Sequence, residues 1–362
     1  MKDHTMSYEE PDPSKDIALE LFNVQLAIDK QEILQALTFD LAEGEILCLL
    51  GPSGCGKTTA LKAIAGLSIP QKGQISLFGD TVFSEQKINQ PPENRSIGFI
   101  FQDYALFPHM TVGQNIAYGL SHLDKQARQQ RIKESLELVE LADLEHRYPH
   151  ELSGGQQQRI AVARALAPKP KLLLMDEPFS NIDGQVKRRM MADLRQLLKK
   201  HNISCIFVTH AKEEAFAFAD KTAVMVKGHI EQLDIPAKVF NSPNTLAVAE
   251  FMECGNLATL KHSQQVLDRI PNQWPRDIDN SGYWLFKPQH LTLSHSYQNT
   301  GITLIDSTYI GRGYQHEIAI SLTKSNQGST IIWKAETEEP LGIAIGENIA
   351  LEYEKMPHWL QN

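Results

Sequence analysis

Residues 46–67 read ILCLLGPSGCGKTTALKAIAGL, and this stretch decides the fold of the chain. Its first five residues are apolar and predict a short buried β-strand, while TALKAIAGL has apolar residues at helical spacing. Between the two lies the pattern Gly, four residues, Gly, Lys, Thr, which is typical of a loop that wraps a phosphate group. A strand, a phosphate loop and a helix in this order predict an α/β nucleotide-binding domain.

The glycine-rich loop predicts a site for a nucleoside triphosphate. Its glycines allow backbone amides to turn toward the phosphates, and the helix that follows presents its positive end. We expect Lys57 to reach the β- and γ-phosphates and Thr58 to ligate Mg²⁺. The alternative is an ordinary glycine turn, but the flanking strand and helix favour the phosphate loop. The residues expected to contact the nucleotide are Gly51, Pro52, Ser53, Gly54, Cys55, Gly56, Lys57, Thr58 and Thr59.

The composition is that of a globular protein with two or three domains. The 362 residues are 42% hydrophobic, enough to bury one large and one smaller core. The net charge of −9 argues against a surface for nucleic acid or an anionic membrane. Four scattered cysteines favour a reducing compartment. Since no apolar run is long enough to cross a membrane, we expect any membrane association to depend on a partner.

Hydrophobic patterning divides the chain into three parts. Residues 1–17 are polar and predicted to be disordered. Residues 18–243 alternate short apolar runs with helical patterns, which predicts a parallel sheet covered by helices on both faces. Residues 244–362 contain short alternating segments such as HEIAISL (316–322), in which Ile318, Ile320 and Leu322 share a strand face. This last part is predicted to be a small β-barrel or sandwich.

Three further apolar runs end in polar residues that suit phosphate chemistry. They are SIGFIF (96–101) before Gln102, KLLLM (171–175) before Asp176 and Glu177, and SCIFVT (204–209) before His210. Because ligands bind at the carboxyl ends of strands in open α/β sheets, these side chains should meet in one crevice. Each also has a simpler explanation, such as a solvated strand end or a helix cap. The phosphate loop in the same chain favours the catalytic interpretation.

Transfer of a phosphoryl group to water requires charge neutralisation, a positioned water and a proton acceptor. Asp176 suits Mg²⁺, and its neighbour Glu177 is the candidate general base. Gln102 would complete the Mg²⁺ coordination, and His210 would contact the γ-phosphate. No side chain in these motifs suggests a covalent nucleophile, and Cys55 is expected to contribute only its backbone amide.

A second glycine-bearing helix start, LSGGQQQR, occupies residues 152–159. We expect Ser153 to N-cap the helix, while Gly154 and Gly155 allow its free amides to approach a phosphate closely. The alternative is that these residues only make a flexible helix start.

Taken together, these motifs resemble those of the ATP-binding cassette (ABC) transporter ATPases over residues 18–240. The matching segments are GPSGCGKTT (Walker A), FQ at 101–102 (Q-loop), LSGGQ (signature), LLLMDE (Walker B), SNID at 180–183 (D-loop) and TH at 209–210 (switch histidine). The resemblance implies a head-to-tail homodimer that encloses two ATP molecules and contains Asp183 in its D-loop. The signature residues that would contact the partner's ATP are Ser153, Gly154, Gly155 and Gln156.

Two positions depart from the family pattern. Ile28 stands where an aromatic residue usually stacks on adenine, and Ala211 follows the switch histidine where Asp is common. We expect hydrolysis to survive both changes.

The C-terminal part resembles the OB-like regulatory β-domain (TOBE type) of importer ATPases. WLFKPQHLTL (284–293) is similar to its recurring Arg-Pro-Glu-His segment, with Lys287 and Gln289 at two of the positions. The resemblance implies a homodimer at the cytoplasmic side of the inner membrane, bound to two membrane-spanning permease subunits and served indirectly by an extracytoplasmic solute-binding protein. DYALFPHMTV (103–112) would contact the permease subunits. DEPFSNID and the short tail are most like ferric-iron importers, with polyamine, sugar, sulfate or thiamine as alternative solutes.

Two other classes of function are alternatives to transport. A soluble ABC ATPase acting on DNA or ribosomes would carry a long coiled-coil insertion or two cassettes, whereas only 93 residues separate Thr58 from Leu152 here. A regulatory binding module would need a ligand site in the β-domain. Its candidate lining is Tyr309, Tyr314, His316 and Trp333. Aromatic residues in a small barrel more often form its core.

Overall fold

The computed structural model describes residues 16–86, 88–180, 182, 184–259, 282–298, 300–321, 330–353, 355 and 357–360. It contains two compact units, Met1–Ala237 and Lys238–Asn362. The predicted domain boundary after residue 243 lies shortly beyond this division and stays a prediction. Of the segment predicted to be disordered, residues 1–15 lie outside the described residues.

The first unit is an α/β domain. In chain order its strands are β1 (Ile17–Ile28), β2 (Gln31–Ala42), β3 (Ile46–Leu50), β4 (Lys72–Leu77), β5 (Asp80–Ser84), β6 (Ile88–Asn89), β7 (Ile97–Ile100), β8 (Leu172–Asp176), β9 (Ser204–Thr209), β10 (Lys221–Val226) and β11 (His229–Asp234). Its helices are α1 (Lys57–Ala65), α2 (Val112–Ala117), α3 (Lys125–Leu138), α4 (Gly154–Leu166), α5 (Gly184–Lys200) and α6 (Lys212–Phe218). None of the helices in the described residues has the length and apolar character needed to cross a membrane.

A mainly parallel sheet forms the centre of this unit. Among the described residues its strand order is β11-β10-β3-β9-β8-β7, with β11 antiparallel at one edge. Every residue of β3, β8 and β9 is buried. Strands covered on both faces need continuous apolar sequences, which is why these runs do not alternate. The predicted parallel sheet is confirmed.

A second, antiparallel sheet was not anticipated from the sequence. Its order among the described residues is β2-β1-β4-β5-β6. Helix α1 lies in a hydrophobic cluster shared by the two sheets: Ile64 belongs to the same cluster as Leu21 and Phe39 of the antiparallel sheet and Leu49 and Ile206 of the parallel sheet. The helix that follows the phosphate loop is therefore anchored by contacts from both sheets.

In its described residues the second unit consists of β-strands, two short α-helices and one 3-10 turn (Pro288–His290). The helices are α7 (Pro236–Asn241), which crosses the division between the units, and α8 (Leu246–Met252). The strands are β12 (Asn256–Thr259), β13 (Tyr283–Phe286), β14 (Leu291–His295), β15 (Ile302–Tyr309), β16 (Tyr314–Ser321), β17 (Thr330–Thr337), β18 (Ile349–Tyr353) and β19 (His358–Leu360). In the described residues they form three antiparallel sheets, β12-β13-β19, β14-β18 and β15-β16-β17. The predicted β-domain is confirmed.

In strand β16 of the second unit, alternate residues are buried, as the sequence pattern predicts. Ile318 and Ile320 point from one strand face into the core, whereas Leu322 lies outside the described residues. His316 and Trp333, weighed above as lining of a ligand site, are also fully buried. They contribute to the core, as aromatic residues in a small β-domain usually do.

Lys287, the residue that departs from the recurring importer segment, is buried within the second unit. Its Nζ donates a hydrogen bond of 2.6 Å to the Phe240 carbonyl and lies 4.6 Å from the centre of the Phe240 ring. Burial lowers the pKa of this ammonium group. Lys287 thus holds the end of α7 against the β-domain of the same unit.

Asp220 ties β10 to β3 and α5 in the first unit. Its carboxylate accepts hydrogen bonds from the Ile46 amide at 2.8 Å and from Arg195 at 2.6 Å, and a further one from Lys199. Burial alone would raise the pKa of Asp220, but the hydrogen bonds from Lys199, Ile46 and Arg195 outweigh it and lower the pKa. The charged form is therefore stabilised in the folded chain.

Replacing Asp220 by Asn should destabilise the first unit by about 1–3 kcal/mol at neutral pH, because two cations lose their anion. The pKa is lowered on folding, so this stabilisation is present above about pH 4 and is lost as the pH falls through the folded-state value. Urea unfolding followed by circular dichroism checks both points. Fluorescence would miss them, because all four tryptophans lie after residue 238. If the difference in the free energy of unfolding between variant and wild type were as large below pH 4 as at neutral pH, the assignment would be wrong.

Candidate functional site

The carboxyl ends of four neighbouring parallel strands meet at one edge of the sheet. The order β3-β9-β8-β7 brings together the phosphate loop after β3, His210 after β9, Asp176 and Glu177 at the end of β8, and Gln102 just beyond β7. The convergence predicted from the four apolar runs is confirmed.

Backbone geometry explains two of the phosphate-loop glycines. A Cβ on Gly51 would lie 2.1 Å from the Met225 carbonyl oxygen, and Gly56 has a φ of +108° at the start of α1. Helix α1 begins without a side-chain cap, so its first amides point out of the helix as an anion site requires. Lys57 is buried and donates 2.8 Å hydrogen bonds to the carbonyls of Gly51 and Pro52. The Lys57 side chain thus connects the end of the loop to its first two residues.

Thr58 and Asp176 lie in contact, as their predicted common role requires. The Thr58 hydroxyl donates a 2.8 Å hydrogen bond to Asp176 Oδ1. Burial raises the pKa of Asp176, and this hydrogen bond opposes the shift only in part. A hydroxyl and a carboxylate side by side are the hard oxygen donors that Mg²⁺ prefers, so these residues fit the ion.

Glu177 occupies an unusual backbone conformation and is held at both carboxylate oxygens. Its φ is +44°, in the left-handed region that non-glycine residues rarely adopt. Gln102 Nε2 donates to Glu177 Oε2 at 3.3 Å, and His210 Nδ1 lies 3.4 Å from Oε1. Strained residues of this kind concentrate at functional sites. The structure therefore brings the three predicted catalytic residues together, with Gln102 and His210 each next to one carboxylate oxygen of Glu177.

The remaining loop residues flank this cluster. Pro52, Ser53 and Gly54 are exposed, Thr59 is half-buried, and Cys55 is buried. The expected D-loop residue Asp183 lies outside the described residues, so the structure says nothing about its position. Ile28, the last residue of β1, is 49% exposed.

The signature segment begins α4 as predicted. Ser153 N-caps the helix: its hydroxyl accepts from the Gln156 amide at 3.4 Å, and the Gln156 side chain accepts from the Ser153 amide at 2.9 Å. This capping box uses the side chains of both residues within their own helix. Gly154 is exposed, and a Cβ there would meet nothing within 4 Å. The start of α4 is thus an open surface.

The other two glutamines of LSGGQQQR bind backbone carbonyls. Gln157 Nε2 donates to Pro149 at 2.9 Å and Leu152 at 3.3 Å, which fixes the approach to the helix. Gln158 is fully buried, and its Nε2 donates at 2.6 Å to the carbonyl of Pro178. The sequence does not predict this contact, since a glutamine inside a helical pattern carries no signal of its tertiary partner.

Residues 34–180 match the ABC transporter family. The Fe(3+) ions import ATP-binding protein FbpC of Escherichia coli is 40% identical over 304 residues, which cover 82% of this chain and 86% of that protein. The chain belongs to the ABC transporter ATPase family. As a member of this family it binds ATP and is an ATPase.

Other members of the family support the same fold. The spermidine/putrescine import ATP-binding protein PotA of Marinobacter nauticus is 43% identical to this ABC ATPase over 241 residues, 66% of this chain and 63% of that protein. The dimeric post-hydrolysis structure of the ATP-binding cassette MJ0796, bound to ADP and Pi, matches with a TM-score of 0.53 and 28% identity. The match covers 60% of this chain and 98% of that chain. The α/β nucleotide-binding fold is thus shared with a solved ATP-binding cassette.

Replacing Gln158 by Leu should impair this ABC ATPase in two ways. The buried Pro178 carbonyl loses its donor, at an expected cost of about 1–3 kcal/mol in stability. Because Pro178 follows Glu177, loss of this hydrogen bond should also let the backbone that orients Glu177 move. We expect this to lower kcat about tenfold. ATP turnover and urea unfolding measure the two effects. Gln130→Leu on the exposed face of α3 is the matched control, and equal behaviour of the two variants would contradict the positioning role of Gln158.

Proposed function

We propose that this ABC ATPase is the ATP-hydrolysing subunit of an importer that takes up ferric iron across the inner membrane. The observation that carries the catalytic part is Glu177, held between Gln102 and His210 beside the Thr58–Asp176 pair. A carboxylate acceptor next to a set of oxygen donors suits hydrolysis of a phosphoanhydride.

ATP and Mg²⁺ would bind at the phosphate loop. Lys57 is positioned to exchange the two loop carbonyls it now bonds for phosphate oxygens. Thr58 and Asp176 would hold Mg²⁺, with Gln102 as a further ligand. When bound, Mg²⁺ neutralises phosphate charge. Its positive charge would also favour the ionised form of Asp176, which burial disfavours in the chain alone.

Glu177 is the proposed general base. Each of its carboxylate oxygens has one partner, which leaves acceptor sites for water but holds the group in one orientation. Gln102 and His210 are the side chains that would move, toward Mg²⁺ and the γ-phosphate respectively. Binding of the nucleotide would then free the base, which links hydrolysis to occupancy of the site.

The second half of each ATP site would come from another copy of the chain. Ser153, Gly154, Gly155 and Gln156 present an open helix start, and their side-chain bonds stay within α4. Such a start suits a phosphate supplied from outside the subunit. The dimeric state of the ATP-binding cassette MJ0796 supports this arrangement. Asp183 would lie in the D-loop of the same interface.

Two membrane-spanning permease subunits are the proposed partners in the membrane, with an extracytoplasmic solute-binding protein acting through them. Residues 103–112 are the proposed contact segment. A concave surface with a volume of about 630 Å³ includes Pro108 of this segment together with Arg147, Tyr148 and Glu151. Its mixed polar and aromatic lining suits a helix end of a partner protein. The chain would then sit at the cytoplasmic side of the inner membrane.

Glu177→Gln and Ser153→Arg should fail at different steps. Without a base, Glu177→Gln should bind ATP and form a stable dimer while hydrolysis falls at least about a hundredfold. Ser153→Arg should leave ATP binding by the isolated subunit largely intact but suppress both dimer closure and hydrolysis. Equilibrium ATP binding, light scattering with ATP and phosphate release separate the two. Near-wild-type turnover in Glu177→Gln would show that another group is the base.

Ferric iron is proposed as the solute on the similarity to the Fe(3+) ions import protein of Escherichia coli. The similarity to the spermidine/putrescine protein of Marinobacter nauticus makes a polyamine the second candidate. A deletion strain should fail to accumulate radiolabelled ferric iron, and a plasmid copy of the gene should restore uptake, whereas the Glu177→Gln copy should not. Normal iron uptake with a defect for spermidine would overturn the iron assignment and leave the ATPase assignment intact.

A further inference from the structure

The backbone around His210 is held by the side chain of the residue before it. The Thr209 hydroxyl accepts a 3.1 Å hydrogen bond from the Ala211 amide and donates one of 2.6 Å to Glu214 Oε2. Thr209 is buried, whereas the His210 side chain is 58% exposed. The peptide unit between His210 and Ala211 is therefore held by the Thr209 side chain, while the His210 ring lies beside Glu177.

Glu214 is a buried carboxylate with a second partner. Its side chain is 4% exposed, and its Oε1 accepts a 2.8 Å hydrogen bond from Lys187 Nζ. A charge removed from water needs a counter-charge and hydrogen bonds at both oxygens, and Glu214 has them. Thr209, Glu214 and Lys187 thus form one continuous set of bonds, called here the Thr209 chain.

Helix α6, which follows His210, begins without a side-chain cap. Ala211 is the N-cap residue of α6 and has no side-chain oxygen to accept from the first turn. The common Asp at this position would supply such a group. The hydroxyl of Thr209 accepts from the amide of Ala211 itself, so it fixes the turn into α6 without capping the first-turn amides. The direction of the His210 side chain depends on this turn.

The far end of the Thr209 chain lies near the D-loop. Lys187 belongs to the first turn of α5, which begins at Gly184. A displacement of this end of α5 would change the position of His210 through the hydrogen bonds of Lys187, Glu214 and Thr209. None of these three side chains is needed to touch the nucleotide.

We propose that Glu214 and Lys187 act through Thr209 as positioning residues that set His210 for hydrolysis. The inference rests on the proposed role of His210 at the γ-phosphate. It predicts a loss of turnover without a loss of ATP affinity when any bond of the chain is removed, because the ring remains present but is poorly aimed.

Thr209→Val and Thr209→Ser form the first test. Valine has the shape of threonine but lacks the hydroxyl, so kcat should fall about tenfold while the KM for ATP stays within about twofold. Serine keeps the hydroxyl and should retain at least about half of wild-type kcat. Equal kcat in the valine and serine variants would overturn the proposal.

Lys187 provides the second test. Lys187→Met should lower kcat by a similar factor, whereas Lys187→Arg keeps the charge and should rescue it. The kcat of the double variant Lys187→Met, Thr209→Val should lie within about twofold of the kcat of the slower single variant, because both changes interrupt the same set of hydrogen bonds. Multiplicative losses in the double variant would contradict a shared mechanism.

His210→Ala, measured alongside, separates failure of the proposal from failure of the proposed function. If His210→Ala loses hydrolysis and Thr209→Val does not, the positioning role is wrong and the role of His210 stands. If His210→Ala keeps wild-type turnover, the role of His210 itself is wrong. Thermal unfolding by circular dichroism and equilibrium ATP binding accompany each variant. A kcat loss matched by equal loss of folded, ATP-binding protein would assign the Thr209 chain to stability alone and overturn the proposal.

Discussion

The parallel alignment of β3, β9, β8 and β7 is the constraint on which the rest of the site depends. These strands lie between covering layers and have no exposed residues, so their apolar sequences favour the centre of a parallel sheet covered on both faces. Because they run in the same direction, their polar continuations emerge at one edge. The 2.8 Å bond from Thr58 to Asp176 joins residues 118 positions apart in the sequence. Only the strand order makes such a contact possible.

The half-buried Asp220 and the buried Asp176 have carboxylates in opposite electrostatic environments. Asp220 receives hydrogen bonds from Arg195, Lys199 and a backbone amide, and its pKa is lowered. Asp176 receives one from the Thr58 hydroxyl, and burial leaves its pKa raised. The first carboxylate is satisfied by the chain itself and serves stability. The second is supported by the chain only in part, which is the condition expected of a group that acts on a ligand.

Several features that depend on local sequence pattern are predicted correctly. Continuous apolar runs predict β3, β8 and β9, and Ser153 as an N-cap residue predicts the start of α4, because burial and capping depend on residues close together in the sequence. The antiparallel sheet is not predicted, since β1 and β4 pair across two intervening strands, β2 and β3, and helix α1. Contacts of Gln158 with Pro178 and of Lys187 with Glu214 were missed for the same reason. Such pairs join elements whose proximity is decided by the whole fold.

Helix α4 carries both the signature segment at its start and the Gln158 side chain that contacts the residue after Glu177. Ser153 at its start and Gln158 lie within two turns of each other, and Gln158 holds the carbonyl of Pro178 next to Glu177. A helix with intact hydrogen bonds moves as one body over this distance. If the start of α4 binds the ATP of a partner subunit, that contact therefore acts on the base of the subunit to which α4 belongs. The two ATP sites of a dimer would then be coupled through Gln158 in each chain, without a direct contact between the nucleotides.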